Sequence, residues 1–152
     1  ELIGKLEVLP NYIPREKYSH KGQFGHALII GGSYGKIGAV TLTSRAALSA
    51  GAGLVTAYIP KCGYHALQAS FPEAMVITDV DEEKITSIKF DIEPTVVGFG
   101  IGIGTDTKTA SAFGAFLKIN KASSKAMHAI AFSELSIAFH NDLIKCGFIS
   151  AS

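Results

Sequence analysis

A strand, a glycine loop, a helix and a second strand are predicted within one stretch of this sequence, His26–Pro60, and their order restricts the possible folds. The first apolar run, Ala27–Ile30, is typical of a strand that is buried on both faces. A helix rich in alanine is predicted over Ala39–Ala50, and a second strand over Leu54–Ile59. Because a helix joins the two strands, they are expected to be parallel neighbours in a sheet covered by helices.

The same alternation continues along the chain. Further helices are predicted over Lys61–Phe71 and Thr107–Leu117, and further strands over Ala74–Thr78 and Thr95–Gly100. One helical turn is expected over Glu82–Ser87. The sequence therefore predicts a single α/β domain, built on a parallel sheet flanked by helices.

Two loops rich in glycine follow the carboxyl ends of predicted strands. The first begins at Gly31 and Gly32, with Ser33 as a predicted helix cap, and Thr105 is expected to cap the helix after the second loop. The second loop contains alternating glycines: Gly98, Gly100, Gly102 and Gly104. Because ligands of parallel sheets bind beyond the carboxyl ends of the strands, both loops are expected to surround one anionic, nucleotide-like ligand.

Two common phosphate-binding loops do not fit these residues. A Walker A loop requires Ser or Thr after its Gly-Lys pair, whereas Lys36 is followed by Ile37. A dinucleotide-binding Rossmann loop requires an acidic residue at the end of the second strand. Here that strand ends at Ile59 and is followed by Pro60 and Lys61. The glycine loops are therefore expected to approach a ligand in another way, and the alternative for the second loop is close packing of its backbone against a neighbouring helix.

Composition excludes several other classes of function. The 152 residues carry a net charge of +1, so no basic surface for nucleic acid or for an acidic membrane is expected. No apolar run has the length of a membrane span, which predicts a cytoplasmic protein. The 2 cysteines, Cys62 and Cys146, lack the spacing of metal ligands, so no metal site is predicted from them.

Taken together, these motifs resemble the ADP/ATP-dependent NAD(P)H-hydrate dehydratases, a family with a ribokinase-like, three-layer α/β/α fold. The matching segments keep the order that they have in the family: Ser19–Ala39, Ala46–Pro60, Pro72–Met75 and Val97–Asp106. The resemblance covers residues 19–121 of one partial, truncated domain spanning 1–152.

The resemblance implies a metabolite-repair lyase. Such an enzyme phosphorylates the aberrant hydroxyl of hydrated NADH or NADPH from ADP or ATP with Mg²⁺, and loss of phosphate restores the cofactor. By motif position, Ala39 and Gly102 would contact the hydrated dinucleotide. The other residues implied in the substrate site shape the two loops: Gly31, Gly32, Ser33, Gly100 and Gly104.

The chain departs from the family pattern at two places. Ile101 stands where the family usually has proline, which removes a rigid φ angle from the second loop. After Lys121 the segments Asp-Ala-Asp, His-Pro-Gly-Glu and Gly-Ser-Gly-Asp are not found, and the last of them carries the family's catalytic aspartate. No catalytic residue is therefore predicted. The abrupt change at Ala122 suggests a shifted reading frame, an alternative end or an incomplete chain. Residues 122–152 are expected to form a divergent tail with a helix over Ser123–Cys146.

Three functions remain open on this sequence. The first is the hydrate dehydratase, complete or as a partial copy, and the second is a ribokinase-like small-molecule kinase. The third is a non-catalytic fragment that binds dinucleotide or is completed by a partner. A truncated parallel sheet leaves an unpaired edge strand, which favours a homo-oligomer.

Overall fold

The structure, a computed structural model, describes residues 4–5, 9–11, 14–121 and 128–131. Its centre is a five-stranded sheet in which the strands follow the order β3-β2-β1-β4-β5. Every pair of neighbouring strands is parallel. The strands are β1 (His26–Gly31), β2 (Leu54–Ile59), β3 (Met75–Thr78), β4 (Val96–Ile101) and β5 (His128–Ala131). The predicted α/β class and parallel sheet are confirmed.

Helices cover both faces of the sheet. They are α1 (Ile37–Ser49), α2 (Tyr64–Ser70) and α3 (Thr107–Lys121), and short 3₁₀ helices occupy Leu9–Asn11, Lys21–Phe24 and Lys61–Gly63. Alternate residues of β1 enter two separate cores, because successive side chains of a strand point to opposite faces. Ala27 and Ile29 pack with residues of α1 and α2. Leu28 and Ile30 pack with residues of α3. The fold therefore has the three layers expected of a ribokinase-like domain.

The start of α1 differs from the prediction. The helix begins at Ile37, two residues before the predicted start, and its N-cap residue is Lys36 rather than Ser33. The backbone N–H of Lys36 donates to the carbonyl of Ser33 at 2.8 Å, so a turn separates Ser33 from the helix. Ser33 cannot cap a helix from the far side of that turn, and its hydroxyl bonds elsewhere.

The helix predicted over Ser123–Cys146 is wrong at His128–Ala131, which forms β5. This strand pairs with β4 in register from Val96 opposite His128 to Phe99 opposite Ala131. The outer edge of β4 offers a row of backbone donors and acceptors, and a nearby apolar segment satisfies them better as a strand than as a helix. The remaining residues of the predicted tail, 122–127 and 132–152, lie outside the described residues.

Membrane insertion finds no support in the helices that the structure describes, since none of them has the length and apolar character needed to cross a bilayer.

Candidate functional site

The two glycine loops meet at the carboxyl edge of β1 and β4. The backbone N–H of Gly32 donates to the carbonyl of Ile101 at 2.7 Å. The hydroxyl of Ser33 donates to the carbonyl of Gly102 at 2.8 Å. Two hydrogen bonds therefore join the loops into one surface, and the predicted convergence at one edge of the sheet is confirmed.

A β-bulge lets the second loop leave the sheet. Ile30 pairs with Phe99, but Gly31 pairs with Ile101, so Gly100 has no partner in the ladder. Its φ of +100° lies in a region that residues with a side chain rarely adopt. The next residue, Ile101, is only 9% exposed and packs in the core under α1. Burial and its carbonyl hydrogen bond hold Ile101 where the family usually has proline.

Gly102 lies against the first turn of α1. A Cβ atom on Gly102 would come within 2.9 Å of the Lys36 carbonyl oxygen and 3.3 Å of the Ala39 Cβ. Its φ of +65° adds a second reason why only glycine fits there. The contact places Ala39 beside the second loop. Gly102 is thus required for packing of the loop on the helix.

The other glycines of the predicted site divide into packed and open positions. A Cβ atom on Gly31 would collide with the Ile101 carbonyl oxygen, and one on Gly32 would lie 3.0 Å from Ile37 Cδ1. At Gly104 the nearest atom would be Ser33 Oγ, at 4.0 Å. Gly31 and Gly32 therefore allow the loops to pack, whereas the space at Gly104 is open.

The N-terminus of α1 opens onto this surface without a capping group. Lys36 makes no capping hydrogen bond with its side chain, and the first turn contains no acidic residue. The first backbone N–H groups of the helix carry a partial positive charge and have no partner within the helix. The arrangement suits an anionic group such as a phosphate.

A third segment, which was not predicted to belong to the site, crosses the same edge. We call Asp81–Lys84 the acidic loop. Its three successive carbonyls accept backbone N–H bonds from neighbouring loops: Asp81 from Lys61 at 3.1 Å, Glu82 from Cys62 at 3.0 Å and Glu83 from Tyr34 at 2.8 Å. The helical turn predicted over Glu82–Ser87 is therefore wrong, because these carbonyls accept bonds from other segments of the chain instead of from a helix of their own.

Asp79 anchors the acidic loop from inside the protein. Its carboxylate is buried and accepts backbone N–H bonds from Asp81, Thr86 and Ser87, and a hydroxyl bond from Thr86, all between 2.7 and 3.0 Å. Burial acts to raise the pKa of Asp79, but the four hydrogen bonds to the charged form outweigh it and hold the pKa below its usual value. The anion is therefore the stable form at neutral pH.

The far end of the acidic loop is tied to the second glycine loop. Lys84 Nζ donates to Asp106 Oδ2 at 2.8 Å. Asp106 Oδ1 accepts the backbone N–H of Lys108 at 2.9 Å, so Asp106 and not Thr105 caps α3. The shared hydrogen bond raises the pKa of Lys84 and lowers the pKa of Asp106.

The Lys84–Asp106 bond joins residues that are 22 positions apart, so the local sequence pattern could not reveal it. The sequence offered one signal for Asp106, which immediately precedes a predicted helix, where Asp is a common N-cap residue. Nothing in the local sequence around Lys84 indicates its partner.

Comparison with known families gives a match over most of the chain. A family model described as NAD(P)H-hydrate dehydratase matches residues 27–133. The ADP-dependent (S)-NAD(P)H-hydrate dehydratase of Staphylococcus aureus is 37% identical over 98 residues, which are 64% of this chain and 35% of that protein. The enzyme of the same name from Lactococcus lactis is 38% identical over 98 residues, 64% of this chain and 36% of its own. The chain thus spans about a third of the length of these curated relatives.

Solved structures show the same fold. A ribokinase-like superfamily protein from Enterococcus faecalis superposes with a TM-score of 0.66 at 24% identity, covering 91% of this chain and 45% of that one. The ADP/ATP-dependent NAD(P)H-hydrate dehydratase of Bacillus subtilis, co-crystallised with ATP and Mg²⁺, superposes with a TM-score of 0.65 at 22% identity. That superposition covers 76% of this chain and 41% of the other.

Proposed function

Because the chain belongs to the NAD(P)H-hydrate dehydratase family, we propose that its two joined glycine loops bind hydrated NADH or NADPH for an ADP- or ATP-dependent dehydration. The observation that carries the proposal is the pair of hydrogen bonds, Gly32 to Ile101 and Ser33 to Gly102, that joins the loops beside the uncapped start of α1. The reaction class is a carbon–oxygen lyase reaction that repairs a damaged cofactor.

The geometry suits a dinucleotide for two physical reasons. The loop backbone is bare at Gly104, where a ligand can approach without meeting a side chain. The helix N-terminus supplies positive potential for a pyrophosphate. In this proposal Ala39 and Gly102 contact the dinucleotide, whereas Gly31, Gly32, Ser33 and Gly100 shape the loops and act through them.

ADP or ATP and Mg²⁺ belong to the proposal for the whole reaction, and we propose no residues of this chain as their ligands. Among the described residues, no group of three or more His, Cys, Asp or Glu side chains could hold a metal ion by itself. The sequence after Lys121 also lacks the motif that carries the family's catalytic aspartate. We therefore propose that this chain binds the dinucleotide, and we propose no catalytic residue for it.

Calorimetric titration with NADPH and with hydrated NADPH tests the proposal. We expect saturable binding by the wild-type chain and its loss in Gly102→Val, because a branched side chain there meets the Lys36 carbonyl. Circular dichroism of the variant checks that the fold survives. Failure of the wild-type chain to bind either dinucleotide, or unchanged affinity in a folded Gly102→Val variant, would contradict the proposal.

Two coarser features complete the proposal. Hydrated nicotinamide cofactors arise where the cofactors are used, so we propose a cytoplasmic location. We also propose a homo-oligomer, since β3 lies at the end of the sheet and pairs only with β2 among the described residues.

A further inference from the structure

The acidic loop contacts both glycine loops, although it belongs to neither. At one end, the Glu83 carbonyl accepts the backbone N–H of Tyr34, which directly follows Ser33 in the first loop. At the other end, Lys84 pairs with Asp106, which ends the second loop. The Ser33–Gly102 hydrogen bond joins the same two loops directly. With the chain segments between them, the three connections form a closed ring that includes Ser33 and Gly102 of the candidate site.

We propose that Lys84 and Asp106 are positioning residues, whose ion pair holds the second glycine loop against the first and thereby sets the affinity for the dinucleotide. This inference rests on the proposed function. Between the contacts at Gly102 and Asp106 lie only Ile103, Gly104 and Thr105. The Lys84 contact therefore restrains the open position at Gly104 from its far side.

The pair is better placed to position a loop than to stabilise the fold. The side chains of Lys84 and Asp106 are 32% and 38% exposed, and ion pairs with that exposure contribute little to stability. Capping of α3 uses the other carboxylate oxygen, Oδ1, through the Lys108 N–H. Loss of the ion pair can therefore leave the helix cap intact.

Asp106→Asn separates positioning from simple electrostatics, because the two make opposite predictions. The proposed ligand is anionic, so removing a negative charge beside the site would raise affinity if charge alone mattered. If Asp106 acts by holding Lys84, its neutral variant loosens the loop and lowers affinity. Asparagine is also a good N-cap, so the variant keeps an acceptor for the Lys108 N–H.

The binding experiment measures NADPH affinity by calorimetry in the wild-type chain and in four variants. We expect Asp106→Asn and Lys84→Met each to weaken binding by roughly fivefold or more, the low end of typical couplings between two sites. Lys84→Arg should bind like the wild type, since arginine can donate to the same carboxylate. Lys108→Met is the matched control: it removes an equal charge from the first turn of α3, where the Lys108 side chain makes no hydrogen bond to another described residue.

Hydrogen exchange on the protein without ligand gives a second, independent readout. The amides of Ile103–Thr105 should exchange faster in Asp106→Asn and Lys84→Met than in Lys84→Arg or Lys108→Met. Equal or tighter NADPH binding by Asp106→Asn, or equal losses in Lys84→Met and Lys108→Met, would overturn the inference while leaving the proposed function standing. A wild-type chain that binds no dinucleotide removes the proposed function together with the affinity claim, and the exchange rates then decide whether the pair positions the loop.

Discussion

Ser33 acts across the site rather than along the chain. Its place between a strand and a helix favours a capping role, but its hydroxyl reaches the carbonyl of Gly102, 69 residues later in the sequence. A cap is a local pattern and can be predicted, whereas a partner at that distance depends on how β1 and β4 are registered. The sequence could show that Ser33 lies in a glycine loop, but it could not show that its hydroxyl bonds to Gly102.

Asp79 gives the clearest prediction at the residue scale. Asp79→Asn should lower the free energy of unfolding at pH 7 by about 2–3 kcal/mol, because an amide nitrogen would face buried N–H donors that now bond to a carboxylate. The measurement is urea denaturation of both proteins across a series of pH values. Asp91→Asn is a control, since Asp91 is exposed and its side chain makes no hydrogen bond to another described residue.

The pH dependence of that difference follows from the direction of the pKa shift. The pKa of Asp79 is lower in the folded protein than in the unfolded chain, where it is about 3.9. Its stabilising contribution is therefore complete above the unfolded value and is lost as the pH falls through the folded value. The gap between the wild type and Asp79→Asn should be constant near neutrality and narrow below about pH 4. A gap that widens in acid would show that the carboxylate is not the stabilising form.

At the scale of elements, the strands before the two glycine loops were predictable and the segments between them were less so. β1 and β4 are apolar runs, each immediately followed by glycine, and both signals are local. The acidic loop and β5 are set by backbone groups of other elements. Helical periodicity in Ser123–Cys146 could not reveal that the edge of β4 would recruit His128–Ala131 as a strand.

A pair of glycines tests where a ligand approaches α1. A Cβ atom added to Gly38, in the first turn of α1, or to Gly114, within α3, would meet nothing within 4 Å beyond its own stretch of helix, and neither glycine has a positive φ. Gly38→Ala and Gly114→Ala should each raise the free energy of unfolding by about 0.5 kcal/mol through helix propensity. Only Gly38→Ala should weaken NADPH binding, because its methyl group lies where the dinucleotide is proposed to approach the helix.

Thermal unfolding and calorimetry of the two variants separate the effects. Equal NADPH affinity in Gly38→Ala and Gly114→Ala would mean that the ligand does not approach the first turn of α1.

For the molecule as a whole, we expect the chain to bind the dinucleotide without catalysing its repair. Mixed with hydrated NADH, ADP or ATP and Mg²⁺, the 152-residue chain should show little or no turnover, because its sequence lacks the motif of the catalytic aspartate. The assay follows the return of NADH absorbance, with a full-length dehydratase as the positive control. Turnover on the order of 1 s⁻¹ or faster would contradict this expectation.

Self-association is the second expectation at this scale. The outer edge of β3 has no partner among the described strands, the strand contains no charge or proline, and Met75 is 45% exposed. Light scattering after size exclusion should therefore detect an oligomer, and Met75→Lys should shift it towards monomer, as charges on edge strands do. Leu42→Lys, an exposed position on α1, is the control. A wild-type chain that is monomeric at every concentration would refute the homo-oligomer.

The acidic loop has a consequence for how such a chain can change over generations. Its three bridging carbonyls belong to the backbone, so replacing Glu82 or Glu83 by other residues leaves every bridge available. Asp81 differs, because its carboxylate also accepts the backbone N–H groups of Glu83 and Lys84. Deleting one residue would instead move the carbonyls out of step with Tyr34, Lys61 and Cys62. The length of this loop, together with Asp81 and Lys84, is therefore what evolution should preserve. Substitutions at Glu82 and Glu83 should accumulate, while insertions and deletions should not.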